Sequence, residues 1–240
     1  MDRIPKKIHY CWFGQGPMPE LALKCIESWK KKLPDYEMKL WNEMNFDINS
    51  NEYVKEAYRA KKFAFVTDYV RLFALYHEGG IYLDTDVEII RSLDEFLHHG
   101  AFSGFQTPSE ILTGLIGAKP GNKWIKENLL IYENKKFIRD DGSYDLTANV
   151  ALISNISKKM GFKEGNEFQI FGDDVAIYPI DYFCAKDYRS GNLCITNNTY
   201  AIHHFAGSWL PWSSKLKKGI RKVVGNALYE QIKQKVRRLQ

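Results

Sequence analysis

Two aspartates separated by one residue, Asp84 and Asp86, follow the apolar run Ile81-Tyr82-Leu83. After a strand, alternate side chains of a turn can converge on one cation, which offsets the repulsion between two carboxylates and can hold a diphosphate. Without further context the same tripeptide is a solvated turn. Asp68 and Arg71 lie upstream at a spacing of three, which puts an acid and a base on one helix face, as an ordinary ion pair or as a polar site. Downstream, His203 and His204 precede Phe205-Ala206-Gly207-Ser208-Trp209-Leu210-Pro211-Trp212. An imidazole there can complete a metal shell. Neighbouring side chains of an extended segment face opposite ways, so one of the two histidines is expected at an ion, not both. Trp12, two residues after Tyr10, offers either a face for a nucleobase or a core aromatic. Asp173 and Asp174, after Phe171-Gly172, are candidates for positioning an acceptor or belong to a simple loop.

The elements that must hold these residues are legible in outline. Lys6–Phe13 reads as a strand ending at Gly14-Gln15-Gly16-Pro17. A helix is expected over Leu21–Lys32, a second strand over Glu37–Trp41, and a further helix over residues 52–62. Phe65–His77 is a stronger helix, with Val66, Val70, Phe73 and Leu75 on its apolar side and Gly79-Gly80 to stop it. Short strands follow at Ile81–Leu83 and Val87–Ile90, and strand–helix alternation continues to about residue 205. This order predicts an α/β domain with a largely parallel sheet. Ligands of such sheets bind at the carboxyl ends of the strands, where Asp84 and Asp86 fall.

Composition narrows the class. The chain has 240 residues, 45% hydrophobic and 26% charged, which excludes disorder, collagen and coiled coil. No run reaches the ~20 apolar residues of a membrane-spanning helix, and no secretory leader is visible. Four irregularly spaced cysteines read as reduced thiols, with a Cys184–Cys194 disulfide as the alternative. Residues 213–240 carry nine basic residues and one acid, a balance of +8. The other 212 carry 25 bases against 28 acids. The body is therefore no polyanion binder, and no nucleic-acid partner is expected. Apolar residues from Leu216 to Leu239 recur in the tail at helical spacing. It is read as a basic amphipathic helix that lies on an anionic membrane surface or packs on the domain.

Together these residues resemble a known family. Ile4–Gly14 resembles the opening strand of the family-32 glycosyltransferases, the DXD sugar-binding family. Phe65–Arg71 through Gly79–Asp86 resembles its central signature. That family includes bacterial capsular polysaccharide enzymes and yeast initiating mannosyltransferases, and it is similar to the catalytic core of clostridial glucosylating toxins. The segment His204–Trp212 resembles the His-x-x-Gly-x-x-Lys-Pro-Trp element of glycogenin-like transferases, with Leu210 in place of Lys.

The resemblance implies a GT-A-type, Rossmann-like α/β fold over residues 1–212, with 213–240 as the appended helix. It implies a retaining transfer of a hexose or N-acetylhexosamine from a nucleotide-diphosphate sugar to a glycan or lipid-linked acceptor. UDP-sugars are favoured over GDP-mannose, and Mn²⁺ or Mg²⁺ is the cofactor. Residue by residue, Tyr10 and Trp12 would meet the nucleotide, Asp68 the ribose or sugar hydroxyls, and Arg71 the sugar or its phosphate. Asp84 would touch the sugar and reach the metal. Asp86 and His204 would ligate the metal, and Ser208 and Trp209 would close over the diphosphate. The implied setting is surface polysaccharide synthesis in the cytoplasm, peripheral to the inner face of the plasma membrane. Two rivals stand beside this reading. A haloacid-dehalogenase-type phosphatase also uses Asp-x-Asp after an apolar strand, although Glu88 occupies the place where Thr or Val is expected. The other is a non-catalytic nucleotide-sugar or glycan-binding module.

Overall fold

The computed structural model describes residues 3–207. Ser208, Trp209 and the basic segment 213–240 lie outside the described residues, and one compact unit closes at Phe205. The first half of the chain runs β1 (Lys7–Cys11), α1 (Glu20–Lys32), β2 (Glu37–Trp41), α2 (Glu52–Arg59), α3 (Phe63–Glu78), β3 (Gly80–Leu83) and β4 (Val87–Ile89). The second half adds β5 (Ala101–Thr107), β6 (Glu110–Ile111), β7 (Leu115–Ala118), α4 (Lys123–Leu130), α5 (Asn149–Lys159), β8 (Gln169–Phe171), β9 (Val175–Tyr178), α6 (Ile180–Phe183) and β10 (Ala201–His203).

The main sheet has the order β2-β1-β3-β7-β5-β9-β8, with β6 attached to β5. Strands β2, β1, β3, β5 and β9 run one way, so the sheet is largely parallel as expected. β7 is inserted against this direction between β3 and β5, and β6 and β8 also run counter to it. A separate antiparallel pair joins β10 to β4, with Ala201 opposite Ile89 and His203 opposite Val87.

Both faces of the sheet are covered, and the alternation of side chains along the strands sorts the core into two. In β3, Tyr82 faces the cluster built with α2, α3, α4 and α5, whereas Ile81 and Leu83 face the one built with α1 and α6. Strands buried on both faces read as continuous apolar runs, and Ile81-Tyr82-Leu83 is one. Trp29 of α1 is wholly buried, and its indole N–H donates to the Val87 carbonyl at 2.7 Å, fixing β4 against α1.

The turn from α3 into β3 is the tightest joint. Gly79 has φ 64° and Gly80 φ 108°, and a Cβ on Gly80 would stand 2.6 Å from the Lys7 carbonyl oxygen. Only glycine adopts that backbone at that distance without displacing β1. His9, fully buried in β1, closes the same joint. The Trp41 indole N–H donates to its Nδ1 at 3.0 Å, so Nε2 carries the proton and donates to the Gly79 carbonyl at 2.7 Å. Burial lowers its pKa and keeps it neutral.

The four cysteines are free thiols; Cys11, Cys25 and Cys184 are buried and Cys194 is exposed.

Candidate active site

Asp84 and Asp86 follow β3 at its carboxyl end. The Asp84 N–H donates to the Gly114 carbonyl at 2.8 Å, and its own carbonyl accepts from Val87 at 3.0 Å, so the acidic turn is pinned on both sides. The two oxygens of the Asp84 carboxylate are divided. Oδ1 accepts the Tyr82 phenol at 2.7 Å and lies 3.4 Å from an Arg71 nitrogen. Oδ2 turns to His203, whose Nε2 stands 4.0 Å from it and 3.2 Å from Asp86 Oδ1. One ligand atom each from Asp84, Asp86 and His203 lies within 4.8 Å of the others.

The histidine brought to the carboxylates is therefore His203, which corrects the assignment to His204. β10 ends at His203, and the next side chain points the other way. The His204 imidazole Nε2 is paired with Glu88 Oε2 at 2.9 Å, while its backbone N–H donates to the Asp86 carbonyl at 2.9 Å. Gly114 makes room for the arrangement. A Cβ there would come within 3.0 Å of Asp84 Oδ2 and 3.1 Å of His203 Cε1. A glycine inside the apolar run Ile111–Ala118 marks such a close approach and was the signal available in the sequence.

Asp68 and Arg71 pair as their spacing predicts, Arg71 Nη2 to Asp68 Oδ1 at 2.9 Å. Both are buried, on the α3 face that meets Tyr82. Arg71 is turned inward: Nη1 donates to the Thr113 carbonyl at 2.7 Å, Nε to the Thr67 carbonyl at 3.4 Å, and the guanidinium lies 4.7 Å over the Tyr82 ring. The structure turns Arg71 toward Asp68, Asp84 and two backbone carbonyls, whereas the resemblance implies a contact with donor sugar or phosphate. Arg71 instead holds the two carboxylates in place. Burial pushes the Asp68 carboxyl up to about 7, against the lowering effect of Arg71, and the Asp84 charge adds to the rise. For Arg71 burial works against the charge, but Asp84, Tyr82 and Asp68 together outweigh it and hold the guanidinium above its ordinary range.

Tyr10 and Trp12 stand at the same end of the sheet, since His9 is level with Tyr82 in the parallel β1–β3 register. Trp12 is half-buried. Its indole N–H is spent on the Gly16 carbonyl at 2.7 Å, which fixes the ring through its edge. Tyr10 is half-buried with its ring edge-on to Trp29 at 5.4 Å. The loop after β1 is anchored by a residue that sequence reasoning missed: Glu43 Oε1 accepts the Gly14 N–H at 2.6 Å and the Tyr58 phenol at 3.0 Å.

Asp173 and Asp174 lie at the other end. They precede β9, whose Val175 is level with Ala101; Ala101 pairs with Ala118, and Ala118 pairs with Gly80 at the start of β3. A strand length, roughly 13 Å, separates that edge from the acidic turn. Asp174, at φ 62°, takes the Gly100 N–H at 2.7 Å and faces His99 at 3.3 Å, so it locks the β8–β9 hairpin to β5. The two residues expected to position an acceptor or to form a simple loop therefore lie in a loop at the edge opposite the acidic turn.

An acidic turn at the carboxyl edge of a largely parallel sheet can be set beside known proteins. Residues 19–103 match the profile described as glycosyltransferase sugar-binding region containing DXD motif. Over that stretch, about a third of the chain, the protein is similar to DXD sugar-binding glycosyltransferases, and the curated relatives it resembles include mannosyltransferases. It is 32% identical over 130 residues to inositol phosphoceramide mannosyltransferase 3 of Schizosaccharomyces pombe, covering 51% of this chain and 35% of that one. It is 25% identical over 211 residues to inositol phosphoceramide mannosyltransferase 2 of the same yeast, covering 86% and 58%. The chain thus spans about a third to somewhat over half the length of these curated relatives. Among solved structures, the galactosyltransferase LgtC in complex with donor and acceptor sugar analogs is similar with a TM-score of 0.44 at 13% identity, over 84% of this chain and 87% of that one.

Proposed function

We propose that the protein transfers a hexosyl group from a nucleoside-diphosphate sugar to a hydroxyl of a glycan or lipid-linked acceptor, with a divalent cation held by Asp84, Asp86 and His203. The observation that carries this reading is the approach of two carboxylates and one imidazole at the carboxyl end of β3, their ligand atoms within 4.8 Å of one another. The donor set fits a cation on charge as well as on geometry. Asp68 and Asp84 share one guanidinium while Asp86 stands beside the His203 imidazole, so the acidic turn carries negative charge that a divalent ion offsets. Oxygen ligands with one nitrogen suit Mn²⁺ better than Mg²⁺, which prefers oxygen alone. A bound cation would stabilise the charge that develops on a departing diphosphate.

The chain's own groups supply the rest of the reading. Trp12, held by its edge, presents a ring face to the base. Asp68, kept in place by Arg71, offers a carboxyl to donor hydroxyls, and Tyr82 orients Asp84 so that Oδ2 alone is left for the ion. We further propose retention of anomeric configuration and closure of Ser208 and Trp209 over the diphosphate. Surface polysaccharide synthesis at the inner face of a membrane completes the proposal. A UDP-hexose is the first donor to test. GDP-mannose stands beside it, because the fungal relatives are mannosyltransferases.

The test is a thermal-shift screen of UDP-glucose, UDP-galactose, UDP-N-acetylglucosamine and GDP-mannose with Mn²⁺, followed by an assay for released nucleotide. A melting temperature raised by one sugar nucleotide and abolished by EDTA supports the reading, since binding stabilises the fold by mass action. Binding with no nucleotide release, whatever acceptor is added, would return the non-catalytic module. Phosphate release in place of nucleotide would return the phosphatase.

A further inference from the structure

The helix α5 begins beside the site at a residue with an unsatisfied side chain. Asn149 is its first residue and is 7% exposed. The Thr113 hydroxyl donates to Asn149 Oδ1 at 3.2 Å, and Asn149 Nδ2 is buried without a hydrogen-bond partner among the described residues. Exchanging the amide oxygen and nitrogen does not remove the deficit. One of the two then pairs with Thr113 and the other is still left over, and a buried polar group in that state carries a standing desolvation penalty. Ala148, which caps α5, has no side chain that could accept from the first turn of the helix.

The position of this group follows from the sheet. Thr113 gives its carbonyl to Arg71 at 2.7 Å, and Gly114, next in sequence, borders Asp84 and His203. Thr113 precedes β7, which runs antiparallel to β3, so it lies at the same edge as the acidic turn. Across that edge the order is β1, β3, β7, with Trp12 after β1, the two aspartates after β3, and Thr113 with Asn149 before β7. A nucleoside-diphosphate sugar has the same linear order of base, diphosphate and sugar, and neighbouring strands are spaced about 4.8 Å apart.

We propose that Asn149 reads the transferred sugar, its free amide atom pairing with a hydroxyl of the hexose. This inference rests on the transferase reading above. A sugar hydroxyl both donates and accepts, so it suits the amide in either orientation. A phosphate oxygen only accepts, and a neutral amide offers it no charge.

Titration calorimetry with Mn²⁺ tests this, using UDP, UDP-glucose, GDP and GDP-mannose on wild type and Asn149→Ala. The expected result is that affinity for the bound sugar nucleotide falls about tenfold, one hydrogen bond's worth. Affinity for the matching nucleoside diphosphate should stay within about twofold. Equal losses for both ligands, or no loss for either, overturn the assignment while leaving the transferase reading intact. A wild-type protein that binds none of the four instead overturns the transferase reading itself. If Asn149→Ala does not fold, Asn149→Ser, which keeps a hydroxyl for Thr113, is measured in the same way with the same two outcomes.

Discussion

At the scale of single residues, the two adjacent histidines give the sharpest prediction. His203→Ala removes an imidazole 3.2 Å from Asp86 and should weaken Mn²⁺ affinity on the order of 10- to 100-fold. His204→Ala removes a partner of Glu88 and should leave Mn²⁺ affinity within about twofold. Titration of both variants with Mn²⁺, followed by paramagnetic resonance of the free ion, decides between them. Asp68 gives a second prediction, in the metal-free protein. Its pKa is near 7 in the fold and about 3.9 in an unfolded chain. Between those values the folded state binds the extra proton, so stability contributed by this group is full below about pH 4 and is lost as pH rises through 7. The buried neutral His9 has the opposite sign, losing stability as pH falls. Melting temperatures of wild type and Asp68→Asn from pH 4 to 8 separate the two. Wild type should lose ground to the variant as pH rises, by on the order of a few kcal/mol, and a constant gap would mean Asp68 does not titrate there. Side-chain direction explains what was legible at this scale. Asp84, Asp86, Asp68 and Arg71 stand out by type and spacing, whereas the choice between His203 and His204 depends on where β10 ends. The inward turn of Arg71 depends on Thr113, 42 residues away.

At the scale of elements, periodicity and glycine punctuation recover β1 to β4 and α1 to α3 within a few residues, because each is bounded by a local signal. The insertion of β7 against the sheet direction was not legible. Leu115–Ala118 is buried on both faces and reads the same in either direction, so only its pairing with β3 and β5 fixes its polarity. The same long-range register sends Asp173 and Asp174 to the far edge, where a local reading had put them near the chemistry. The α3–β3 joint is where one atom should matter most. Gly80→Ala places a Cβ 2.6 Å from the Lys7 carbonyl at φ 108°, and should destabilise the protein by about 2 kcal/mol or more. Urea unfolding monitored by tryptophan fluorescence measures this, and a loss under about 0.5 kcal/mol would mean that β1 yields freely.

At the scale of the whole molecule, charge is segregated, with +8 on residues 213–240 and a slightly acidic body. If the tail is a membrane-surface segment, full-length protein should pellet with vesicles containing anionic phospholipid and lose this in high salt. Protein ending at residue 212 should stay in the supernatant while still releasing nucleotide. Equal pelleting of the two forms would assign membrane contact to the body or to nothing. A different consequence follows from the pairing of β10 with β4. His203 lies 117 positions after Asp86, so a growing polypeptide presents its acidic turn long before the imidazole that faces it has been made. Fragments that stop short of β10 would display the Asp84-Thr85-Asp86 tripeptide without the imidazole proposed to share an ion with it. If Asp84, Asp86 and His203 hold the ion as proposed, capture of a donor would be reserved for chains whose synthesis has run past residue 203, and an abortive product would not sequester sugar nucleotides.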